Sequence, residues 1–217
     1  RRLGIQVSGI LGITPDEGHA AAHKLGVERV YATFDELVAD PTVDVVHICT
    51  PNHLHYAMAK AALKAGKHVL CEKPLATNVQ ESSELARLAD STGLVAAVNH
   101  NLRYYPLCHE ARARLQAGEI GEVRLVHGEY LQDWLFLPTD WNWRLEPKLG
   151  GELRAVADIG THWLDMITWL TSSQVVAVMA DMATIIPKRL KPSREVETFA
   201  GKMQTANDGE EAEIHTE

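Results

Sequence analysis

Asp158, His162 and Asp165 sit in one apolar stretch, among Val156, Ile159, Trp163, Leu164 and Ile167. Asp158 and His162 are four residues apart and His162 and Asp165 three apart, so on a helix each pair shares a face. Polar groups set into such a helix need partners or a site. A histidine there has the acid–base range to take or give a proton, and Asp158 could hold a ligand or tune the imidazole. The competing reading is the capped polar face of an amphipathic helix. Lys73 is the other residue with chemical promise. It stands just past the strand-like run that ends at Cys71, after Glu72, and precedes Pro74. A surface position is ordinary for lysine, but one at the carboxyl end of a parallel strand points into the crevice where ligands bind. The Lys73–Pro74 bond can be cis at low cost.

Thr50-Pro51-Asn52 follows another apolar run, again where a ligand would lie. It also reads as a plain β-to-α turn with Asn52 as N-cap, and both readings can hold together. His53-x-His55 and His162-x-x-Asp165 have the look of ligand pairs for a metal. No cysteine pair supports zinc, however, and His109-Glu110 lacks the second histidine of H-E-x-x-H, so no metal is expected.

The elements that must hold these residues alternate. Ile5 to Ile13, Val30 to Ala32, Val43 to Cys49, His68 to Cys71 and Leu94 to Val98 read as short apolar strands. Helices are expected at Asp16 to Leu25, from Thr33 to about Ala39, at His53 to Ala65 and at Asn78 to Ser91. Alternation of this kind predicts a parallel sheet of βαβ units, covered on both faces because the strands are nearly all apolar. Beyond about residue 101 the texture changes. A helix is expected at Pro106 to Ala117, strands at Val123 to Gln132 and Val175 to Met182, a Trp-rich loop at Asp133 to Leu149, and a long helix at about Glu152 to Thr171.

The chain has 217 residues and a formal net charge of −8. That charge argues against a nucleic-acid partner, which would leave a basic patch. No apolar run approaches the roughly 20 residues of a membrane helix, and the opening residues do not read as a signal peptide. Cys49, Cys71 and Cys108 read as buried, reduced thiols of a cytoplasmic protein. Arg1-Arg2-Leu3-Gly4 resembles a helix end running into a strand, and Gly209 to Glu217 the entry to a strand that does not finish. Residues are therefore expected to be missing at both ends.

Three motifs together narrow the field. Cys49-Thr50-Pro51-Asn52-His53-Leu54-His55, then Cys71-Glu72-Lys73-Pro74-Leu75, then Gly150-Gly151 followed by Asp158-Ile159-Gly160-Thr161-His162-Trp163-Leu164-Asp165 stand in an order and spacing that resembles the Gfo/Idh/MocA family. That family includes glucose-fructose oxidoreductase, inositol dehydrogenases and many sugar dehydrogenases. The resemblance covers nearly the whole chain. It implies an α/β fold: a doubly wound Rossmann domain at residues 1–101, then a substrate and oligomerisation domain at 102–217 on an open, mainly antiparallel sheet. The first strand and its G-x-G-x-x-G phosphate loop would precede Arg1, and further strands would follow Glu217; no G-x-G-x-x-G occurs here.

The resemblance also implies an activity: hydride transfer between nicotinamide and a secondary alcohol of a sugar, sugar derivative or cyclitol. Lys73, Asp158 and His162 would be the catalytic group, and with Arg103 and Tyr104 would line the substrate site. His162 would handle the hydroxyl proton, while the Lys73 cation steadies a developing alkoxide. Gly12, Thr14, Thr50, Pro51, Asn52, His55, Glu72, Lys73, Asn99, Trp143 and Arg144 would contact NAD or NADP. Trp143 suits stacking and Arg144 a phosphate or hydroxyl. Members that prefer NAD carry an acid at the end of the second strand. Gly12-Ile13-Thr14 stands in that place, and the missing acid gives a slight lean to NADP, with Thr14 a donor to its 2′-phosphate. A homodimer or homotetramer is implied, with neither nucleic acid nor membrane as partner. The family also contains NAD-dependent glycosidases and a non-catalytic regulator, which are the rival readings.

Overall fold

The computed structural model describes residues 4–193 and 209–215, so the reading of Arg1 to Leu3 lies outside the described residues. Helix α1 (Pro15–Leu25) starts where Thr14 accepts a hydrogen bond from the Glu17 amide and Pro15 occupies the first turn; it stops at Gly26, which is left-handed at φ 62°. Helix α2 (Phe34–Ala39) is capped by Thr33, whose hydroxyl accepts from the Glu36 amide, while the Glu36 carboxylate accepts from the Ala32 amide. Strand β1 (Val45–Ile48), helix α3 (Asn52–Lys64), strand β2 (His68–Cys71), helix α4 (Val79–Thr92) and strand β3 (Ala96–Val98) follow. The three strands form a parallel sheet in the order β1-β2-β3, with Ile48 opposite Cys71 and Cys71 opposite Val98. Parallel neighbours need crossovers, and α3 and α4 provide them.

Burial corrects one expectation. Along β1 and β2 it alternates, with Val46, Ile48, Val69 and Cys71 buried and Val45 and His47 exposed. The core of this unit also holds Ala59, Ala62, Leu63 and Leu85; on the other face of the sheet Val45 and His47 are exposed and His68 and Leu70 half-buried. The expected strand at Ile5 to Ile13 is reduced to one parallel bridge, Ile10 with Val30, made by the Ile10 amide to Arg29 and the Tyr31 amide to Ile10. Asp40 anchors this region, accepting from the Tyr31 hydroxyl at 2.7 Å, the Thr42 amide at 2.8 Å and Arg29. The Tyr31 hydroxyl, then Thr42, hold its carboxyl well below the usual carboxylate range.

After β3 come a 3₁₀ turn (Asn101–Tyr104), helix α5 (Pro106–Gln116), a second 3₁₀ turn (Trp143–Leu145), the short helix α6 (Pro147–Gly150), a π-helical turn (Val156–Gly160), helix α7 (Thr161–Thr171), and strands β4 (Lys188–Lys191) and β5 (Glu210–Glu213). β4 and β5 pair antiparallel. The strands expected at Val123 to Gln132 and Val175 to Met182 are not formed among the described residues. Alternation puts side chains on two faces, but a strand exists only when its amides and carbonyls meet a partner, and no ladder partner is described for these segments. Val176 and Met179 are almost fully exposed. The cysteines divide: Cys71 is buried, Cys108 half-buried and Cys49 exposed, so burial fails for Cys49, which lies just past β1. Burial pushes the Cys71 thiol up to about 12, assisted by Glu72.

The chain separates into two compact units, though a single cut does not divide them. One holds residues up to 50 with 54–72 and 78–98; the other holds 51–53, 73–77 and everything from 99 onward. Two turns at strand ends, Pro51–His53 and Lys73–Thr77, thus belong to the second unit, where Asn52 and Lys73 find their hydrogen-bond partners.

Candidate active site

The helix that carries the acidic and histidine residues does not begin at Glu152. It starts at residue 154, widens through the π turn at Val156–Gly160 and continues as α7. The Thr161 amide reaches back five residues to the Val156 carbonyl, which is the hydrogen bond that defines the wider turn. Asp158 lies inside this turn and is buried. Its Oδ1 accepts from Lys73 Nζ at 2.7 Å, and Lys73 Nζ also donates to the Asp158 carbonyl at 2.7 Å. Both side chains are nearly closed to solvent, at 13% and 10% exposure. Arg144 Nε stands 3.2 Å from the same Oδ1. Asp158 Oδ2 is buried with no hydrogen-bond partner among the described residues. Lys73 enters this unit through a cis peptide bond to Pro74.

His162 stands one turn on. Two rings meet it edge to face: His100 at 5.7 Å between centroids and Tyr130 at 5.9 Å. Its Nδ1 is buried without a partner among the described residues. Burial lowers its pKa from the ordinary 6.5, the Lys73 charge lowers it further, and Asp158 opposes them more weakly. An imidazole so placed is unprotonated at neutral pH and ready to accept a proton. Asp165, the third residue of the set, is held by Arg103, whose Nε donates at 2.7 Å while its second nitrogen completes a fork.

The structure thus brings Lys73, Asp158, Arg144 and His162 into one cluster within the second unit. Other residues named from the sequence have different surroundings. Arg103 is committed to Asp165, and its guanidinium also lies 5.9 Å from the Trp169 ring. Tyr104 is 74% exposed and faces His109. Asn52 does not cap α3: it is the helix's first residue, and its amide donates to the Gly150 carbonyl at 2.9 Å. His55 is fully buried, with Nε2 bonded to the Thr50 carbonyl at 2.8 Å; the Thr50 hydroxyl turns to Met58. Pro51 is half-buried beside it, and Asn99 directly follows β3. Glu72 approaches His47 at 4.0 Å and remains one-third exposed. Gly12 packs so closely on α1 that a Cβ there would fall 2.3 Å from the Gly18 nitrogen, and Thr14 spends its hydroxyl on the cap of α1. The Trp143 ring is covered on one side by Arg144, 4.3 Å from its centroid.

Sequence reasoning missed His100 and Tyr130. His100 lies in the segment Asn99 to Pro106 without a spacing signal of its own. Tyr130 lies in the stretch Val123 to Gln132, read only as a strand. It also missed that Arg144 is a partner of Asp158.

Two family models match the chain: an oxidoreductase family with an NAD-binding Rossmann fold over residues 1–100, and the GFO/IDH/MocA C-terminal domain over residues 108–216. Levoglucosan dehydrogenase of Pseudarthrobacter phenanthrenivorans is 37% identical over 176 residues, covering 81% of this chain and 45% of its own. The 1,5-anhydro-D-fructose reductase of Ensifer adhaerens is 34% identical over 184 residues, 83% of this chain and 53% of its own. Among solved structures, a levoglucosan dehydrogenase in complex with NADH and levoglucosan superposes with a TM-score of 0.80 at 36% identity, covering 84% of this chain and 50% of that one. The chain spans about half the length of these relatives. The nicotinamide dinucleotide in that complex is NADH, and the lean towards NADP receives no support.

Proposed function

The chain belongs to the GFO/IDH/MocA oxidoreductase family, and from that membership we propose that the whole protein is an NAD-dependent oxidoreductase. It would transfer a hydride between a secondary alcohol of a sugar, sugar derivative or cyclitol and nicotinamide. The observation that carries this reading is the pair of buried polar atoms, Asp158 Oδ2 and His162 Nδ1, that have no hydrogen-bond partner among the described residues, in the cluster that holds the Lys73 ammonium. Buried polar atoms without partners are costly, and hydroxyl groups of a polyol are the partners they lack. The named activities of the relatives, on levoglucosan and on 1,5-anhydro-D-fructose, point to the same substrate class.

NAD fits the residues of the first unit. Thr50 follows β1 and Glu72 follows β2, and a partly exposed carboxylate at a strand's carboxyl end suits ribose hydroxyls. Asp16 and Glu17 in the first turn of α1 place negative charge next to Thr14, which disfavours a 2′-phosphate and therefore NADP. Bound NAD supplies the hydride acceptor. His162, unprotonated, takes the hydroxyl proton. Lys73 spends two of its three N–H groups on Asp158 and keeps the third for the alcohol oxygen, whose negative charge grows as His162 takes its proton and falls as the hydride leaves with its electron pair. Asp158 Oδ2 accepts from a second hydroxyl and fixes the sugar's orientation.

Steady-state reduction of NAD over a panel of sugars and cyclitols tests the reading. Lys73→Ala and His162→Ala should each lower kcat by at least about tenfold with NAD binding largely kept. Wild-type turnover in either variant overturns the assignment. Accumulating NADH also separates this reading from a glycosidase, which releases sugar with no net reduction, and from a regulator, which turns nothing over.

A further inference from the structure

Arg144 differs in its surroundings from an arginine placed to grip a phosphate. Its side chain is four-fifths buried, with Nε 3.2 Å from Asp158 Oδ1. Its amide and one terminal nitrogen both donate to Asn142 Oδ1 at 3.1 Å, and Asn142 is itself buried. The guanidinium lies over the Trp143 ring at 4.3 Å and 5.8 Å from that of Trp134. Its backbone is fixed too, because Gly150 packs against it: a Cβ on Gly150 would fall 2.7 Å from the Arg144 carbonyl oxygen. Gly151 follows at φ 87°, a conformation that favours glycine. Gly150 thus serves to seat Arg144, while Gly151 faces Thr77.

We propose that Arg144 is a positioning residue for Asp158, resting on the oxidoreductase reading above. Two cations converge on Oδ1, one of them Lys73. The ammonium that steadies the alcohol oxygen cannot at full strength also hold the carboxylate. The Arg144 guanidinium stays charged at every working pH, and its contacts with Asn142 and Trp143 hold Nε in place against Oδ1. Oδ2 then stays aimed away from the cations, as the free acceptor, throughout the reaction. Without Arg144 the carboxylate would follow Lys73, and the substrate's second hydroxyl would lose its fixed acceptor.

The test compares Arg144→Gln and Arg144→Lys in the whole protein. Arg144→Gln should lower kcat by about tenfold to a hundredfold, the range for a misplaced site group, while KM for NAD changes by less than about threefold. Arg144→Lys, which keeps the charge and loses the guanidinium, should recover part of kcat. A loss confined to KM for NAD overturns the proposal and makes Arg144 a cofactor contact; so does a kcat within about twofold of wild type. A second measurement needs no turnover. Unfolding midpoints of Arg144→Gln, Asp158→Asn and the double variant should be non-additive, the double variant melting no lower than the worse single one. Additive midpoints overturn the contact itself. A wild-type protein that reduces no NAD overturns the oxidoreductase reading alone, and the midpoints then decide whether Arg144 holds Asp158. If Arg144→Gln does not fold, the kcat and midpoint of Arg144→Lys carry both arms.

Discussion

At the residue scale the site is a charge arrangement around one carboxylate, with a histidine kept neutral beside it. Burial and the Lys73 charge lower the His162 pKa from 6.5, so protonation sets in only below that value. In the proposed alcohol oxidation the proton acceptor is the unprotonated imidazole. Oxidation should therefore hold its rate through neutral pH and fall as pH drops through the lowered value. A profile of kcat/KM against pH, which reports the free enzyme, checks this: an acid limb with its midpoint above 6.5 contradicts the assignment. Lys73, Asp158 and His162 were legible because each broke a local rule. Lys73 stood just past an apolar strand, and Asp158 and His162 sat in an apolar helix. Arg144 and Tyr130 broke none, and their meaning depends on partners far away in sequence.

At the scale of elements, the π turn and the Gly150 seat place the cluster. The helix from Thr33 was read from its capping pattern, and the structure adds caps at Thr14 and Asn78 for two more of the expected helices, each a local hydrogen bond between near neighbours. The π turn gave no such signal, because its hydrogen bonds differ from a normal helix by one residue and its composition does not. The expected strands at Val123 to Gln132 and Val175 to Met182 are not formed among the described residues for the reverse reason: composition is local, but a ladder requires a partner. Gly150→Ala should push the Arg144 backbone aside. We expect a loss of about 1–3 kcal/mol in folding stability, as for other overpacked sites, and a larger fractional fall in kcat than in NAD affinity. Calorimetry and steady-state kinetics on one preparation read both, and an unshifted midpoint contradicts the seating role.

At the scale of the molecule, the parallel βαβ pattern was legible because each strand and helix could be read independently. The lean to NADP drawn from the acid missing near Gly12 receives no support from the comparisons, and α1 carries acidic residues of that region in its first turn, at Asp16 and Glu17. The whole protein should therefore reduce NAD with at least about tenfold higher kcat/KM than NADP, about 1.4 kcal/mol of preference; equal use of both contradicts the role given to those carboxylates. The division into units has a consequence for inheritance. Lys73 lies in the first half of the sequence but in the same unit as Asp158 and His162. Recombination between two relatives at residue 99 would join one parent's lysine to the other parent's aspartate and histidine. Parents matched at Lys73–Thr77 and Pro51–His53 should give active offspring, and parents that differ there should give folded but slow ones. The site is thus passed on as three separated segments of the gene, and selection must keep them in step across a boundary that family descriptions draw as one cut.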